Sequence, residues 1–178
     1  FTITCAPVAD LQHEGADQIV GDRSFGSNPE HVYQLAKASL EGVRSAGGEG
    51  VIKHIPGHGR ALCDSHHELP VVDTKADLLR QTDFVPFKAL AHLPMAMTAH
   101  VVYAAIDPDL CATVSPRMID LMRSDLGFNG LLMSDDISMQ ALSGTIHSRS
   151  RAAIAAGAPM TYKLLHNGFV SMTGGQPH

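Results

Sequence analysis

The chain has 178 residues, with 13 basic against 18 acidic side chains and a net charge of −5. That length allows one domain with a sizeable core. The acidic balance argues against a general nucleic-acid or anionic-membrane surface, and no apolar run approaches the ~18 residues of a membrane span.

Cys5, Cys63 and Cys111 are odd in number, widely spaced and without a CxxC pair, which suits reduced thiols in a cytoplasmic protein. No secretory leader is visible in a chain that opens on Phe1 rather than Met. Eleven histidines are many for this length and pose the question of metal or proton chemistry.

Phe1 to Val8, FTITCAPV, is rich in β-branched and aromatic residues and predicts a buried strand with Asp10 at its C-terminal end. A polar loop follows, with Gly21-Asp22-Arg23-Ser24-Phe25-Gly26 inside it. An arginine in such a loop can hold an oxygen-rich ligand with its planar fork of donors. From spacing alone, Arg23 reads first as an ion-pair partner of Asp22 or Asp17. Asn28-Pro29-Glu30 is a helix start, with a cap, a proline and an early acid. Val32, Leu35, Ala36, Leu40 and Val43 recur at helical spacing, and Gly47-Gly48 stops the helix.

Val51-Ile52 predicts a short strand that leads into KHIPGHGRALCDSHHELP, Lys53 to Pro70. Pro56, Gly57 and Gly59 make this a loop. It is dense in groups that move protons or grip hydroxyls, and loops at strand ends are where such groups act. Thr74 with Asp77 resembles a capping box. Leu78, Leu79, Phe84, Phe87 and Leu90 continue an apolar face, with a break before Pro86.

Pro94 to Val102 is a third strand carrying His100 near its end. Ser115-Pro116 caps a helix through Met118, Ile119, Met122 and Leu126, ended by Gly127. Gly130 to Ser134 is a fourth strand with Asp135-Asp136 directly after it. Arg149 to Ala156 is an Ala-rich helix ended by Gly157, and Met160 to Leu165 is a fifth strand.

Strand, loop, helix, repeated, is an α/β pattern with parallel strands. Asp10, Lys53-His54, His100 and Asp135 all fall at strand C-terminal ends, the catalytic face of a (β/α)8 barrel. A doubly wound sheet also places ligands at strand ends, but no Gly-rich phosphate fingerprint follows any strand here. The expected class is therefore a TIM-barrel-type (β/α)8 fold, present as about five strand–helix units where a whole barrel takes ~250 residues. The barrel part is expected over 1–158, with an off-pattern tail over 159–178.

On its own chemistry the central loop leaves choices open. His54, His58, Asp64 and His66 can be read as a metal set, yet H-x3-H is a metal spacing on a helix, which Pro56, Gly57 and Gly59 exclude. Asp64 and His66 are two apart, so in an extended segment both side chains point the same way. The Asp135-Asp136 pair can hold Mg²⁺ as readily as it can supply a nucleophile.

The window Lys53–His66 resembles the K-H-[FI]-P-G-H-G…D-S-H signature of bacterial β-N-acetylhexosaminidases of glycoside hydrolase family 3, enzymes of cell-wall recycling. Lys53, His54, Pro56, Gly57, His58, Gly59, Asp64, Ser65 and His66 fill its positions. The resemblance continues through GDRSF, MTAHVVY, IDPD and GFNGLLMSDDISM, over roughly Phe1 to Ala158. It implies a retaining exo-β-N-acetylglucosaminidase that needs no cofactor and no metal. Asp135 is then the nucleophile, His66 the acid/base with Asp64 as its partner, and Arg23, Lys53 and His54 bind the sugar. It also implies a substrate containing N-acetylglucosamine, a muropeptide or disaccharide.

Asp136 is expected to cap or brace its loop, His58 to order the catalytic loop, and His100 and Asp10 to support from behind. His67 has no match and is expected at the surface. Met97, Met133 and Met139 are expected in the core rather than against ligand.

Two other outcomes remain open on the sequence. A histidine acid/base does not repel phosphate as a glutamate would, so a β-N-acetylglucosaminide phosphorylase is one. An inactive truncated barrel is the other, because no D-Q-E-G-G-R segment of the family is found, and exposed sheet edges predispose such a barrel to self-association.

Overall fold

The computed structural model describes residues 2–164 and 170–174. The chain runs β1 (Ile3–Thr4), a 3₁₀ turn (Gly21–Arg23), α1 (Pro29–Ser45), β2 (Glu49–Gly50), β3 (Ile52–Ile55), β4 (Val71–Val72), α2 (Ala76–Gln81), α3 (Val85–Ala89), β5 (Met95–Thr98), β6 (Val102–Tyr103), α4 (Pro116–Ser124), β7 (Leu131–Asp136), α5 (Ile146–Ala156), β8 (Met160–Leu164) and β9 (Val170–Gly174). The main sheet has the order β3-β5-β7-β8-β9. Its first four strands are parallel, and β9 lies antiparallel to β8.

The first segment joins this sheet beside β3. β1 pairs with β2 in parallel, Val8 bridges Lys53, and the Ala9 N–H donates to the Lys53 carbonyl at 2.7 Å. Spatial order therefore follows sequence order through five parallel segments. Parallel strands joined in sequence order by crossovers of one hand carry their connecting helices on one face of the sheet. That is the winding of a (β/α)8 barrel, not of a doubly wound sheet, whose strand order reverses at a switch point.

The strands differ from the sequence reading in detail. The expected strand over Phe1–Val8 is regular only at Ile3–Thr4, because Pro7 has no N–H to continue the ladder; Phe1 lies outside the described residues. Lys53 and His54 belong to β3 itself, not to the loop. The third strand ends at Thr98, and Val102–Tyr103 pairs separately with Val71–Val72. Asp135 and Asp136 are the last two residues of β7. Leu165 of the expected fifth strand, with 166–169 and 175–178 of the expected tail, lies outside the described residues.

The helix starts follow the caps. Asn28 Oδ1 accepts the His31 N–H, and Ser115 Oγ accepts that of Met118. The Thr74–Asp77 capping box does not form: α2 starts after Lys75 with no side-chain cap. The fifth helix begins at Ile146 rather than Arg149, because Thr145 Oγ1 accepts the Ser148 N–H. The break before Pro86 divides α2 from α3 as expected. Leu35 and Leu78, expected on apolar faces, are exposed.

One core runs between helices and sheet, with Phe84, Phe87, Phe128, Leu40, Leu79 and Met118 among its largest fully buried side chains. A smaller cluster of Val51, Met95, Met97 and Met133 lies apart from it. Burying each such apolar side chain contributes about 1.5–3 kcal/mol, and the strand ends are seated on that packing.

Candidate active site

Four strand ends converge on one pocket lined by Cys5, Arg23, Lys53, His54, Asp135 and Tyr162, with His58, Ser65 and His66 from the loop after β3. Beneath these residues Asp10 is fully buried. Its Oδ1 accepts the backbone N–H groups of His54 (3.0 Å) and His58 (2.7 Å), and its Oδ2 faces His54 Nδ1 at 2.6 Å. Burial alone would raise the Asp10 carboxyl, but His54 and His58 outweigh it and hold it below the usual carboxylate range. Asp10 thus fixes the start of the loop and the orientation of the His54 ring.

With Nδ1 occupied, His54 turns Nε2 towards Asp135 Oδ2, 3.7 Å away. The Asp135 side chain is 16% exposed, and its Oδ1 accepts the Asp136 N–H at 2.8 Å. Burial would raise this carboxyl too, but the facing His54 and His100 rings, the Asp136 N–H and Lys53 hold it below its ordinary value. A carboxylate ionised at neutral pH, seated at a strand end, can attack an electrophilic carbon.

Asp136 has a different role. Its Oδ1 accepts the N–H (2.9 Å) and the hydroxyl (2.6 Å) of Ser138, as a brace of the loop.

His100 is buried behind this pair. Its Nδ1 lies 2.7 Å from Thr113 Oγ1 and its Nε2 3.1 Å from the Asp136 carbonyl. A carbonyl only accepts, so Nε2 carries a proton. Burial pulls His100 below the usual histidine range, and Thr113, whose hydroxyl donates to the Ala99 carbonyl at 3.1 Å, also lies 2.8 Å from Thr98 Oγ1.

The proton-transfer pair is built locally. Asp64 Oδ1 accepts the His66 N–H at 2.8 Å and meets His66 Nδ1 at 2.7 Å, so Nε2 is the nitrogen left to exchange a proton. The His66 side chain is 56% exposed and Asp64 27%. Burial would raise Asp64 slightly, but its bonds to His66 and the nearby His67 hold it down. His67 is at the surface, as expected, at 3.7 Å from Asp64.

His58 is buried, with Nε2 3.2 Å from Ser65 Oγ and Nδ1 without a hydrogen-bond partner among the described residues. Burial, then the neighbouring His54, push its pKa down to about 4.

The glycines of the loop serve close approach. A Cβ at Gly59 would sit 1.8 Å from the Leu11 carbonyl oxygen. The Gly57 carbonyl accepts from Tyr103 Oη at 2.6 Å. Asp83, buried, anchors the same loop from below: its carboxylate meets His13 Nε2 (2.8 Å), Arg60 Nε (2.6 Å) and Thr82 Oγ1 (2.7 Å).

Arg23 does not pair with Asp22 or Asp17; its guanidinium donates to the Ile19 carbonyl at the mouth of the pocket. Met133 is in the core as expected, but Met97 and Met139 also form pocket wall. Among the described residues no set of three His, Cys, Asp or Glu side chains converges to hold a metal ion.

Sequence reasoning passed over Asp83 and His13. Thr82-Asp83-Phe84, an acid inside an apolar helical run, was the available signal. Nothing local marks its partner His13.

Residues 1–167 match the family model described as the glycosyl hydrolase family 3 N-terminal domain. The chain belongs to glycosyl hydrolase family 3. It is 45% identical over 166 residues to a beta-hexosaminidase of Alkalilimnicola ehrlichii, an alignment covering 90% of this chain and 47% of that protein. A family 3 beta-N-acetylglucosaminidase from Paenibacillus superposes with a TM-score of 0.85 at 32% identity, over 90% of this chain and 32% of that one. NagZ from Neisseria gonorrhoeae, solved with N-trifluoroacetyl-D-glucosamine, gives 0.81 at 36% identity, over 89% and 46%.

The chain spans about half the length of the curated relatives it matches. No helix among its described residues is long and apolar enough to cross a membrane.

Proposed function

We propose that this family 3 chain carries the reacting groups of a retaining exo-β-N-acetylglucosaminidase. The observation that carries the reading is the pairing, in one pocket, of a carboxylate held ionised at a strand end with an Asp–His pair on the facing loop.

Asp135 Oδ attacks the anomeric carbon while the bond from that carbon to the leaving oxygen breaks, and His66 Nε2 gives its proton to that oxygen. Water then attacks the same carbon, its proton passes to His66, and the bond to Asp135 breaks. Asp64 keeps His66 in one orientation and stabilises the imidazolium. Lys53, His54 Nε2 and Arg23 surround the space and can donate to sugar hydroxyls. Asp136 is already committed to Ser138, which favours Asp135 as nucleophile.

The sugar is N-acetylglucosamine at the non-reducing end of peptidoglycan fragments, a reading supported by the acetamido-sugar ligand of the Neisseria relative. The free thiols of Cys5, Cys63 and Cys111 suit a cytoplasmic site of action.

The test is product analysis with the intact enzyme on an N-acetylglucosaminyl disaccharide from peptidoglycan, with and without phosphate. Free N-acetylglucosamine under both conditions is expected. A sugar phosphate would establish the phosphorylase instead, and no turnover by intact protein would overturn the glycosidase reading.

A further inference from the structure

The Asp64–His66 pair is self-contained, so nothing within it sets its place over the pocket. That place comes from the residue between them. Ser65 is 2% exposed, although its neighbour His66 is largely in solvent. Its hydroxyl meets the buried ring of His58, whose backbone N–H is fixed by Asp10. On the other side, the Ser65 carbonyl accepts the Ala141 N–H at 3.3 Å and the His66 carbonyl accepts the Gln140 N–H at 3.4 Å. Residues 140 and 141 belong to the loop that leaves β7 directly after Asp135 and Asp136.

All three contacts lie at the long end of the hydrogen-bond range. Together they form a light seam between a sheet-anchored histidine and the nucleophile's own loop.

We infer that Ser65 is a positioning residue: a latch that, through His58 and the loop after β7, sets the distance between the His66 proton donor and Asp135. This rests on the reading of His66 as acid/base. With the latch, His66 is presented to a leaving oxygen held over Asp135. Without it, the Asp64–His66 contact survives but the pair drifts with its loop. A misplacement of ~1 Å can cost on the order of 10²-fold in rate, and the loss falls on substrates whose leaving group needs a proton.

The experiment uses the intact enzyme and the ratio of kcat/KM on an N-acetylglucosaminyl disaccharide to that on the nitrophenyl glycoside, whose leaving group departs unaided. Ser65→Ala should lower the disaccharide rate about tenfold or more and the nitrophenyl rate less than about threefold. Ser65→Thr keeps the hydroxyl and should restore the ratio. His58→Leu removes both ring nitrogens, breaks the contact from the other side and should shift it in the same direction.

Equal losses on both substrates, or an unchanged ratio in Ser65→Ala and His58→Leu, would overturn the latch. So would loss of the folded state in both variants, since the contact would then be structural only. His66→Ala is the control: if that variant loses equally on both substrates, the acid/base assignment fails, and that failure is distinct from failure of the latch.

Discussion

The two halves of the pocket are built in opposite ways. Asp135 is the next-to-last residue of a six-residue strand inside the parallel sheet, 16% exposed, with Asp10, His54 and His100 packed behind it. His66 stands on a loop, 56% exposed, with its main partner two residues away. A group that must sit under one carbon benefits from a seat that packing and ladder bonds hold in place. A group that must protonate, deprotonate and let the sugar pass benefits from solvent access and a weak tether. The comparison assigns chemistry to each side, and variants on each side test it.

The largest effect belongs to the rigid side. Asp135→Ala should lower glycoside cleavage by the intact enzyme at least ~10⁴-fold while leaving the circular dichroism melt unchanged. Retained activity would move the nucleophile elsewhere.

On the exposed loop side, His66→Ala should cost on the order of 10³-fold on a disaccharide and far less on a nitrophenyl glycoside, with azide accelerating release of the glycosyl-enzyme. Equal loss on both substrates and no azide effect would remove His66 from that role.

A change at the joint between the halves should register as stability rather than rate. Gly59→Ala places a Cβ against the Leu11 carbonyl, and should lower stability by more than about 3 kcal/mol in denaturant unfolding. A variant as stable as the parent would show that this backbone approach is dispensable.

The mildest test is pH. His58 titrates near 4 when folded and near 6.5 when unfolded. The unfolded chain therefore binds the extra proton first, so stability is constant above pH ~6.5 and falls as pH drops towards 4, by about 3 kcal/mol from this group. The depressed carboxyls of Asp10, Asp64 and Asp83 act in the same direction, their contribution being lost only as pH falls through their still lower folded values. A proton NMR titration that put the His58 midpoint near 6.5 would contradict the buried, neutral ring.

Much of this was legible in the sequence because it is local. Asn28 and Ser115 cap helices by bonds three residues long, and Asp64 reaches His66 across two. Strand-end positions for His54 and Asp135 follow from apolar runs that stop. What escaped is the long-range part. Asp10 reaches His58 across 48 positions and Asp83 reaches His13 across 70, and no spacing rule announces such pairs. The Thr74–Asp77 pattern shows the opposite failure: the motif is present, yet α2 begins without a side-chain cap. Gly57 and Gly59 read as loop punctuation, whereas the fold uses them to bring backbone against Asp83 and Leu11.

The central claim is that the sheet-held carboxylate forms the bond to sugar. A fluorinated N-acetylglucosaminide that forms the glycosyl-enzyme but releases it slowly should trap that bond in the intact enzyme, and peptide mass spectrometry reads its position. The account predicts the label on Asp135 in the peptide containing LLMSDD. A label on Asp136, or on the His66 loop, would contradict it.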